Sequence, residues 1–405
     1  MQRFNIPPVA SLLICFSIAG CSDSSGPNGT PDPAAPLTLA AGGHHICRLT
    51  GDGIALCWGR ADAGQVGADS TPVTSAPTPV SAGDTRFRSI TAGGLHTCAL
   101  TADGEPWCWG QNDVGQAGFP TAMNQVCGNP IHGWQCVPTP HPLATSLRFR
   151  VLYAGSANTC GFATDGAAYC WGSSGSGQLG PGTSDVCGGS PCSVSPLALP
   201  AQPHLRVLAV GSGAHLCGLT ADGTAYCWGS NANGQLGIAS VGGSRDAPSA
   251  VNGRTKFTAI AVGGQHTCAL ATDGRPWCWG ADILPPGEGG VSLSTVPVAI
   301  SDSPAFADLI TGTWAACGRT SPGSIFCWGI NAHGEMGITP SGLTTRYITP
   351  QQMAADLRWS TIAGSHGTFC GLSTESETWC WGFGDYGELG AVHQESAIPQ
   401  RIDGV

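Results

Sequence analysis

Between Phe87 and Trp109 the apolar residues gather in three short runs, Phe87–Ala92, His96–Leu100 and Glu105–Trp109, separated by Gly93-Gly94 and by Asp103-Gly104. Runs of this length bounded by glycine and Asp-Gly punctuation read as strands joined by tight turns. A fourth strand, like the Pro79-Val80 segment that precedes the unit, is expected after a long loop. No stretch keeps an apolar period of 3.6 residues, so the pattern predicts an all-β chain.

The unit recurs. Its Trp-Gly step stands at Trp58, Trp109, Trp171, Trp228, Trp279, Trp328 and Trp381, with spacings of 51, 62, 57, 51, 49 and 53. A period near 50 with strand signals alone predicts propeller blades rather than a helical solenoid. Seven four-stranded units close into a ring whose remaining strand edges are short and protected. The expected architecture is a single seven-bladed β-propeller over residues 37–405. The first copy is short before Ala41 and the chain ends in the strand-like Ile398–Ile402. The two ends are therefore expected to meet in one blade and latch the ring.

Composition adds two exclusions. Only 10% of residues are charged, with 61 Gly and 30 Pro, which suits short strands and many turns. The formal charge of −10, with 16 Lys+Arg thinly scattered, leaves no basic footprint for nucleic acid.

The stretch AGGLHTCALTADGEPWCWGQNDVGQAG and its copies resemble RCC1 repeats, the family named for the regulator of chromosome condensation. The resemblance rests on the Gly-Gly-x-His start, the Asp-Gly turn, the Trp-Gly step and the Gly-Gln-Leu-Gly close, in order, seven times. It implies a seven-bladed propeller. The copies vary. Asp-Gly occurs at Asp52, Asp103, Asp165, Asp222 and Asp273, but gives way to Ser321-Pro322-Gly323 and Ser373-Thr374-Glu375. Gly-Gln-x-Gly starts at Gly64, Gly115, Gly177 and Gly234, and becomes Gly334-Glu335-Met336-Gly337 and Gly387-Glu388-Leu389-Gly390. The fifth copy has Leu284-Pro285-Pro286-Gly287 instead, so its outer loop should differ.

The first twelve or so apolar residues after Arg3, from Val9 to Gly20, are too few to span a bilayer as a helix and suit a signal peptide. They end Ser17-Ile18-Ala19-Gly20-Cys21, which resembles the lipobox of bacterial lipoproteins. That resemblance implies cleavage before Cys21 and acylation of its thiol, and Ser22 after it favours the outer membrane of a diderm cell. The expected organisation is a signal peptide over 1–20, a lipidated Ser/Gly/Pro tether over 21–36 and the propeller over 37–405. The membrane would be met only through the lipid.

With Cys15 removed and Cys21 lipidated, eighteen of the 20 cysteines remain. Fourteen form pairs ten apart: Cys47 with Cys57, Cys98 with Cys108, Cys160 with Cys170, Cys217 with Cys227, Cys268 with Cys278, Cys317 with Cys327 and Cys370 with Cys380. The others form two local pairs, Cys127 with Cys136 and Cys187 with Cys192. In an exported chain an even set with none left over is a disulfide framework. A three-residue x-Asp-Gly loop, a type I turn closed by a left-handed Gly, sets Cys47 opposite Cys57 within disulfide reach. A two-residue loop would offset them by one and turn them to opposite faces. Zinc is disfavoured, because the pairs belong to separate blades and structural zinc sites use four closely spaced ligands.

His45, His96, His215 and His266 precede the first cysteine of their copies by two positions, where Asn158, Ala315 and Thr368 also stand. Equivalent positions on separate blades diverge, so these are expected to be hydrogen-bonded structural histidines. The Trp-Gly tryptophans, and the aromatics two residues earlier (Trp107, Tyr169, Tyr226, Trp277, Phe326, Trp379), are expected to pack between blades. The repeated Asp residues are turn formers. No HExxH, GxSxG or phosphate-cradling loop occurs, and no metal or cofactor is implied.

Two insertions break the repetition after the Gly-Gln-x-Gly element: Val126–Val137 in the second copy and Val186–Ser193 in the third. Each carries a local cysteine pair. The first presents His132 and Trp134 and the second Pro191, and a stapled loop is pre-organised for recognition. The expected function is a non-enzymatic, lipid-anchored extracytoplasmic scaffold that binds another protein through such loops, as a monomeric propeller. Inhibition of a periplasmic or secreted hydrolase, as by a propeller-type β-lactamase inhibitor, is the first alternative, and an enzyme with a site at the central channel the second. The family also includes nucleotide-exchange factors for a small nuclear GTPase, a partner from which an exported lipoprotein is topologically separated.

Overall fold

In the computed structural model the described residues are 38–404, apart from 69–71, 129–132, 184, 201–202, 284–291, 339–345, 354–356 and 392–394. The signal, lipobox and tether lie outside them, as do His132 and the Leu284–Gly287 stretch. Seven antiparallel sheets follow one another along the chain: Leu39–Pro79, Phe87–Pro142, Phe149–Ala198, Leu205–Ala250, Phe257–Ala299, Asp308–Gln352 and Trp359–Arg401. We call these blades 1 to 7. The fold is an all-β seven-bladed propeller, and no α-helix occurs among the described residues.

Each blade runs from an innermost strand outward. In blade 1 these are Leu39–Ala41, His45–Leu49, Ala55–Arg60 and Val73–Pro79. The innermost and second strands are joined by the Gly-Gly-x turn, here called the rim turn, and the second and third by the x-Asp-Gly hairpin. The third and outer strands are joined by the Gly-Gln-x-Gly segment, here called the outer loop. Because neighbouring strands are antiparallel, rim turns and outer loops emerge on one face of the ring and Asp-Gly hairpins on the other.

The hairpin has the three-residue form. Gly53 N–H donates to Thr50 O and Thr50 N–H to Ile54 O, with Gly53 at φ +81°. The resulting register sets one cysteine opposite the other in all seven blades. Disulfides accordingly join Cys47 with Cys57, Cys98 with Cys108, Cys160 with Cys170 and Cys217 with Cys227 in blades 1 to 4. In blades 5 to 7 they join Cys268 with Cys278, Cys317 with Cys327 and Cys370 with Cys380. The paired Cα atoms are 4.0–4.2 Å apart, near the spacing of a directly opposed non-hydrogen-bonded pair. In blade 7, where glycine is absent, Ser376 takes the left-handed position at φ +65°.

Two expectations need correcting. The ends of the chain do not share a blade: Leu39–Ala41 completes blade 1 and Ser396–Arg401 completes blade 7. The seam is closed by side chains instead. Leu39, Ile46 and Trp58 pack on Leu372, Leu389 and Ile402, and Arg48 donates to the Thr378 hydroxyl and the Ser376 carbonyl. The insertions, expected as stapled loops, form extra strands instead. Gln125–Cys127 and Asp185–Cys187 each add a fifth strand outside the fourth. Gly188 and Gly189, both at positive φ, form the two-residue turn that lets the second insertion fold back on itself. Disulfides joining Cys127 with Cys136 and Cys187 with Cys192 tie these added strands to their neighbours.

The apolar core lies between blades in seven clusters. All seven Trp-Gly tryptophans are fully buried. Trp107 and Trp109 both pack in the cluster between blades 1 and 2. Five of the seven indoles donate to the main-chain carbonyl of the preceding blade's Gln or Glu: Trp109 to Gln65, Trp228 to Gln178, Trp279 to Gln235, Trp381 to Glu335 and Trp58 to Glu388, each at 2.9 Å. The indole N–H groups of Trp171 and Trp328 have no partner among the described residues, although only Trp328 follows the blade that lacks Gly-Gln-x-Gly. Trp109→Phe should therefore destabilise the ring by about 1 kcal/mol more than Trp328→Phe, the usual net worth of one hydrogen bond. Urea melts of the two variants check this; equal costs would contradict the role given to the Gln65 carbonyl.

Candidate interaction face

Three places were open to function: the repeated histidines, the channel and the loop face. The histidines at the second-strand starts are fully buried and face the next blade. His45 Nε2 lies 2.7 Å from Thr97 Oγ1, His96 Nε2 2.8 Å from Thr159 and His215 Nε2 2.9 Å from Thr267. Those hydroxyls donate in turn to the carbonyls of Gln65, Gln116 and Gln235. Burial pushes His45, His96 and His215 down to about 3 and His266 to about 4, so all four are neutral at pH 7. His45, His96 and His215 tie blade to blade, whereas both ring nitrogens of His266 are without a hydrogen-bond partner among the described residues.

The channel is lined by the innermost strands around a cavity of 310 Å³, with Ala92, Leu208, Ile260 and Leu309 among its walls. Tyr153 is the one titratable side chain among the described lining residues, and burial pushes its phenol up to about 12. At its mouth the rim turns are stitched by main-chain bonds between blades, such as Gly43 N–H to Gly93 O at 2.8 Å and Gly94 N–H to Gly155 O at 3.0 Å. A Cβ on Gly42 would stand 2.4 Å from the His45 ring and 2.6 Å from the Gly93 carbonyl, which is why the turn begins with glycine.

The loop face carries the chemistry, and it does so unevenly. Around blades 6, 7, 1 and 2 a continuous ledge of rings and charges crosses three blade boundaries. His333 meets Phe383 edge-on at 5.3 Å between ring centroids. The His44 ring lies 5.7 Å from Phe383, 5.5 Å from His366 and 5.0 Å from Tyr386. The Arg60 guanidinium is held between Tyr386, at 5.1 Å, and Trp134, at 5.8 Å, while Asp62 accepts two hydrogen bonds from it at 2.7 and 2.8 Å. Stacking of a cation between two rings with a carboxylate at its edge fixes the guanidinium in one orientation.

Beneath the ledge lie two carboxylates. In four blades the side-chain carbonyl of Gln65, Gln116, Gln178 or Gln235 accepts the main-chain N–H two residues before it, at 2.8–3.0 Å. Glu335 and Glu388 keep that bond through Oε2, from His333 at 2.8 Å and Tyr386 at 2.9 Å. Where Gln carries an amide donor they carry Oε1, which in both is buried and without a hydrogen-bond partner among the described residues. Burial pushes the Glu335 carboxyl up, and the His333 main-chain N–H opposes it. Glu388 Oε1 faces His44 Nδ1 at 3.6 Å. Burial, and then His44, push His366 down to about 4.

Of the residues singled out from sequence, Trp134 belongs to the ledge, half-buried against Arg60, whereas Pro191 is exposed on the outer part of blade 3. His132 and Cys21 lie outside the described residues. Sequence reasoning missed His44, Arg60, Phe383 and Tyr386. It registered Glu335 and Glu388 only as departures from Gly-Gln-x-Gly, although a carboxylate in place of a buried amide was the signal available.

Comparison with known proteins agrees with this architecture. A family model described as the regulator of chromosome condensation (RCC1) repeat matches residues 52–100 and 222–270, and a second of the same description matches 87–116 and 208–235. The matched residues carry RCC1 repeats, and the fold is a seven-bladed β-propeller. The Ultraviolet-B receptor UVR8 of Arabidopsis thaliana is 26% identical over 380 residues, covering 91% of this chain and 81% of the receptor. The human E3 ubiquitin-protein ligase HERC2 is 27% identical over 248 residues, 60% of this chain but 5% of the ligase. The crystal structure of Saccharomyces cerevisiae Prp20p, a protein studied for its binding to Gsp1p and histones, superposes with a TM-score of 0.71 at 18% identity, covering 92% of this chain and 87% of that one. At that identity the likeness concerns the fold. The nine disulfides among the described residues suit an oxidising compartment.

Proposed function

We propose that this propeller is exported, anchored through an acylated Cys21 and a tether over residues 21–36, and that it holds another protein against its loop face at blades 7, 1 and 2. The observation that carries the reading is the break in quasi-symmetry. Arg60, Trp134, Tyr386, Phe383 and His44 gather on one sector, and half-buried aromatic and arginine side chains are what binding hot spots are made of. A scaffold function also suits a fold whose buried polar groups are spent on joining blades. That relatives of this repeat family include proteins described by what they bind supports a partner of the same general kind.

The test is capture on intact cells with a photo-crosslinking residue at Asp385, beside the ledge. Sequence-wide there is a single lysine, Lys256, so amine-reactive reagents would sample one point only. Arg60→Ala and Trp134→Ala are each expected to lower capture of the main adduct at least about tenfold, the loss typical of a hot-spot residue. Replacing 186–193 by a short Gly-Ser turn should leave it unchanged. Capture that ignores Arg60 and Trp134 but needs the blade 3 insertion would move the site to the outer strands.

A further inference from the structure

The buried glutamates of blades 6 and 7 meet different rim turns, and the difference provides an internal comparison. The third residue of the rim turn faces the preceding blade's Gln or Glu. Arg60 N–H donates to His44 O in blade 1 as Phe383 N–H donates to Gly367 O in blade 7, so His44 and Gly367 are equivalent. Glu388 of blade 7 therefore faces an imidazole, while its counterpart Glu335 of blade 6 faces a glycine. A Cβ on Gly367 would lie 3.7 Å from Glu335 Oε1, an ordinary contact, and 3.3 Å from Phe383 Cβ, which would have to give by a few tenths of an ångström; the place that His44 fills at one seam is left without a side chain at the other. Glu335 is 1% exposed and its Oε1 has no hydrogen-bond partner among the described residues. Around it stand the Phe383 ring, His333 and Glu395, the last two joined at 2.7 Å.

We infer that Glu335 Oε1 receives a primary ammonium group, the tip of a lysine side chain on the bound partner, which enters beside Gly367 and stands to Glu335 as the His44 ring stands to Glu388. A buried carboxylate oxygen is costly unless it is paired. A compact ammonium has donors for Glu335, and the neighbouring Phe383 ring offers a π surface to a cation. A partner carboxylate would be repelled by Glu335 and Glu395 together. This inference rests on the loop face being the partner-binding surface, and it adds the chemistry of one contact.

Two variants test it without threatening the fold. Glu335→Gln installs the residue that four other blades carry at this position. Gly367→His rebuilds the neighbouring seam: the φ of Gly367 lies outside the left-handed region, and Phe383 has to shift by a few tenths of an ångström to admit the added Cβ. In protein labelled with ¹³C at glutamate side-chain carboxyls, the resonance that disappears in Glu335→Gln is expected to shift with n-butylammonium and not with n-butanol, and to stop responding in Gly367→His. In the cell-capture experiment both variants should lower the adduct at least about tenfold, as loss of a buried charge pair does. An amine response with undiminished capture would mean that Glu335 takes free amines, and the lysine assignment fails while the face stands. No amine response and undiminished capture also overturn it. Capture insensitive to Arg60, Trp134 and Glu335 alike overturns the face itself.

Discussion

Reduced in denaturant and returned to buffer without an oxidant, the protein is expected not to regain its near-ultraviolet circular dichroism. Each blade disulfide closes a segment of ten-residue separation, and restricting an unfolded loop of that size contributes about 2.7 kcal/mol in the chain-entropy account. The seven blade staples together contribute roughly 19 kcal/mol, more than the 5–15 kcal/mol by which domains are ordinarily stable. One blade should be dispensable where nine bridges are not: Cys98→Ala with Cys108→Ala is expected to cost about 2–3 kcal/mol and leave a folded ring. The fourteen blade cysteines are fully buried, whereas Cys127 is partly exposed. Under native conditions the bridge between Cys127 and Cys136 should therefore be reduced first, and blade bridges only as the ring opens. A reduced chain with native near-ultraviolet signal would show that the sheets, not the staples, carry the stability.

Acid is the second large lever. His45, His96, His215 and His266 are fully buried and held down to about 3 or 4, against an unfolded value of 6.5. Between those limits the unfolded chain binds four protons that the folded one does not. Their contribution is complete above pH 6.5 and is lost as pH falls from there toward 4. Each histidine gives up to about 1.4 kcal/mol per pH unit, so by pH 5 the four together withdraw roughly 8 kcal/mol. The urea midpoint, followed by tryptophan fluorescence with the disulfides intact, should drop steeply from pH 7 to pH 5. His96→Asn, which copies the residue of blade 3, should reduce the slope by about a quarter. A midpoint flat over that interval would mean that these imidazoles gain protons without unfolding.

What could be read in the sequence was local or repeated. A cysteine pair ten apart with Asp-Gly between them determines a hairpin by itself, because loop length sets register and register decides which side chains face. Seven spaced copies then imply a ring. The ledge could not be read in this way. Trp58 and Glu388 are 330 positions apart, as are Arg48 and Thr378, and only ring closure brings blade 7 beside blade 1. The same closure explains the misplaced latch: a short first copy and a strand-like tail suggested a shared blade, but each blade found four strands of its own and the seam was left to side chains. The insertions misled for a different reason. Their cysteines were read as closing a loop, whereas two short runs flanking a turn can also pair, and the added edge strand satisfies their backbone groups.

The central claim is that the repeats build the scaffold and that function lies where they are broken, on one sector of one face. It is tested most directly by placing a photo-crosslinking phenylalanine analogue at Trp134 or at Asp273, which is exposed at an Asp-Gly hairpin on the opposite face, and irradiating intact cells. The account predicts a discrete protein adduct from position 134 and none from position 273. Adducts of equal yield from both positions, or from 273 alone, would contradict it.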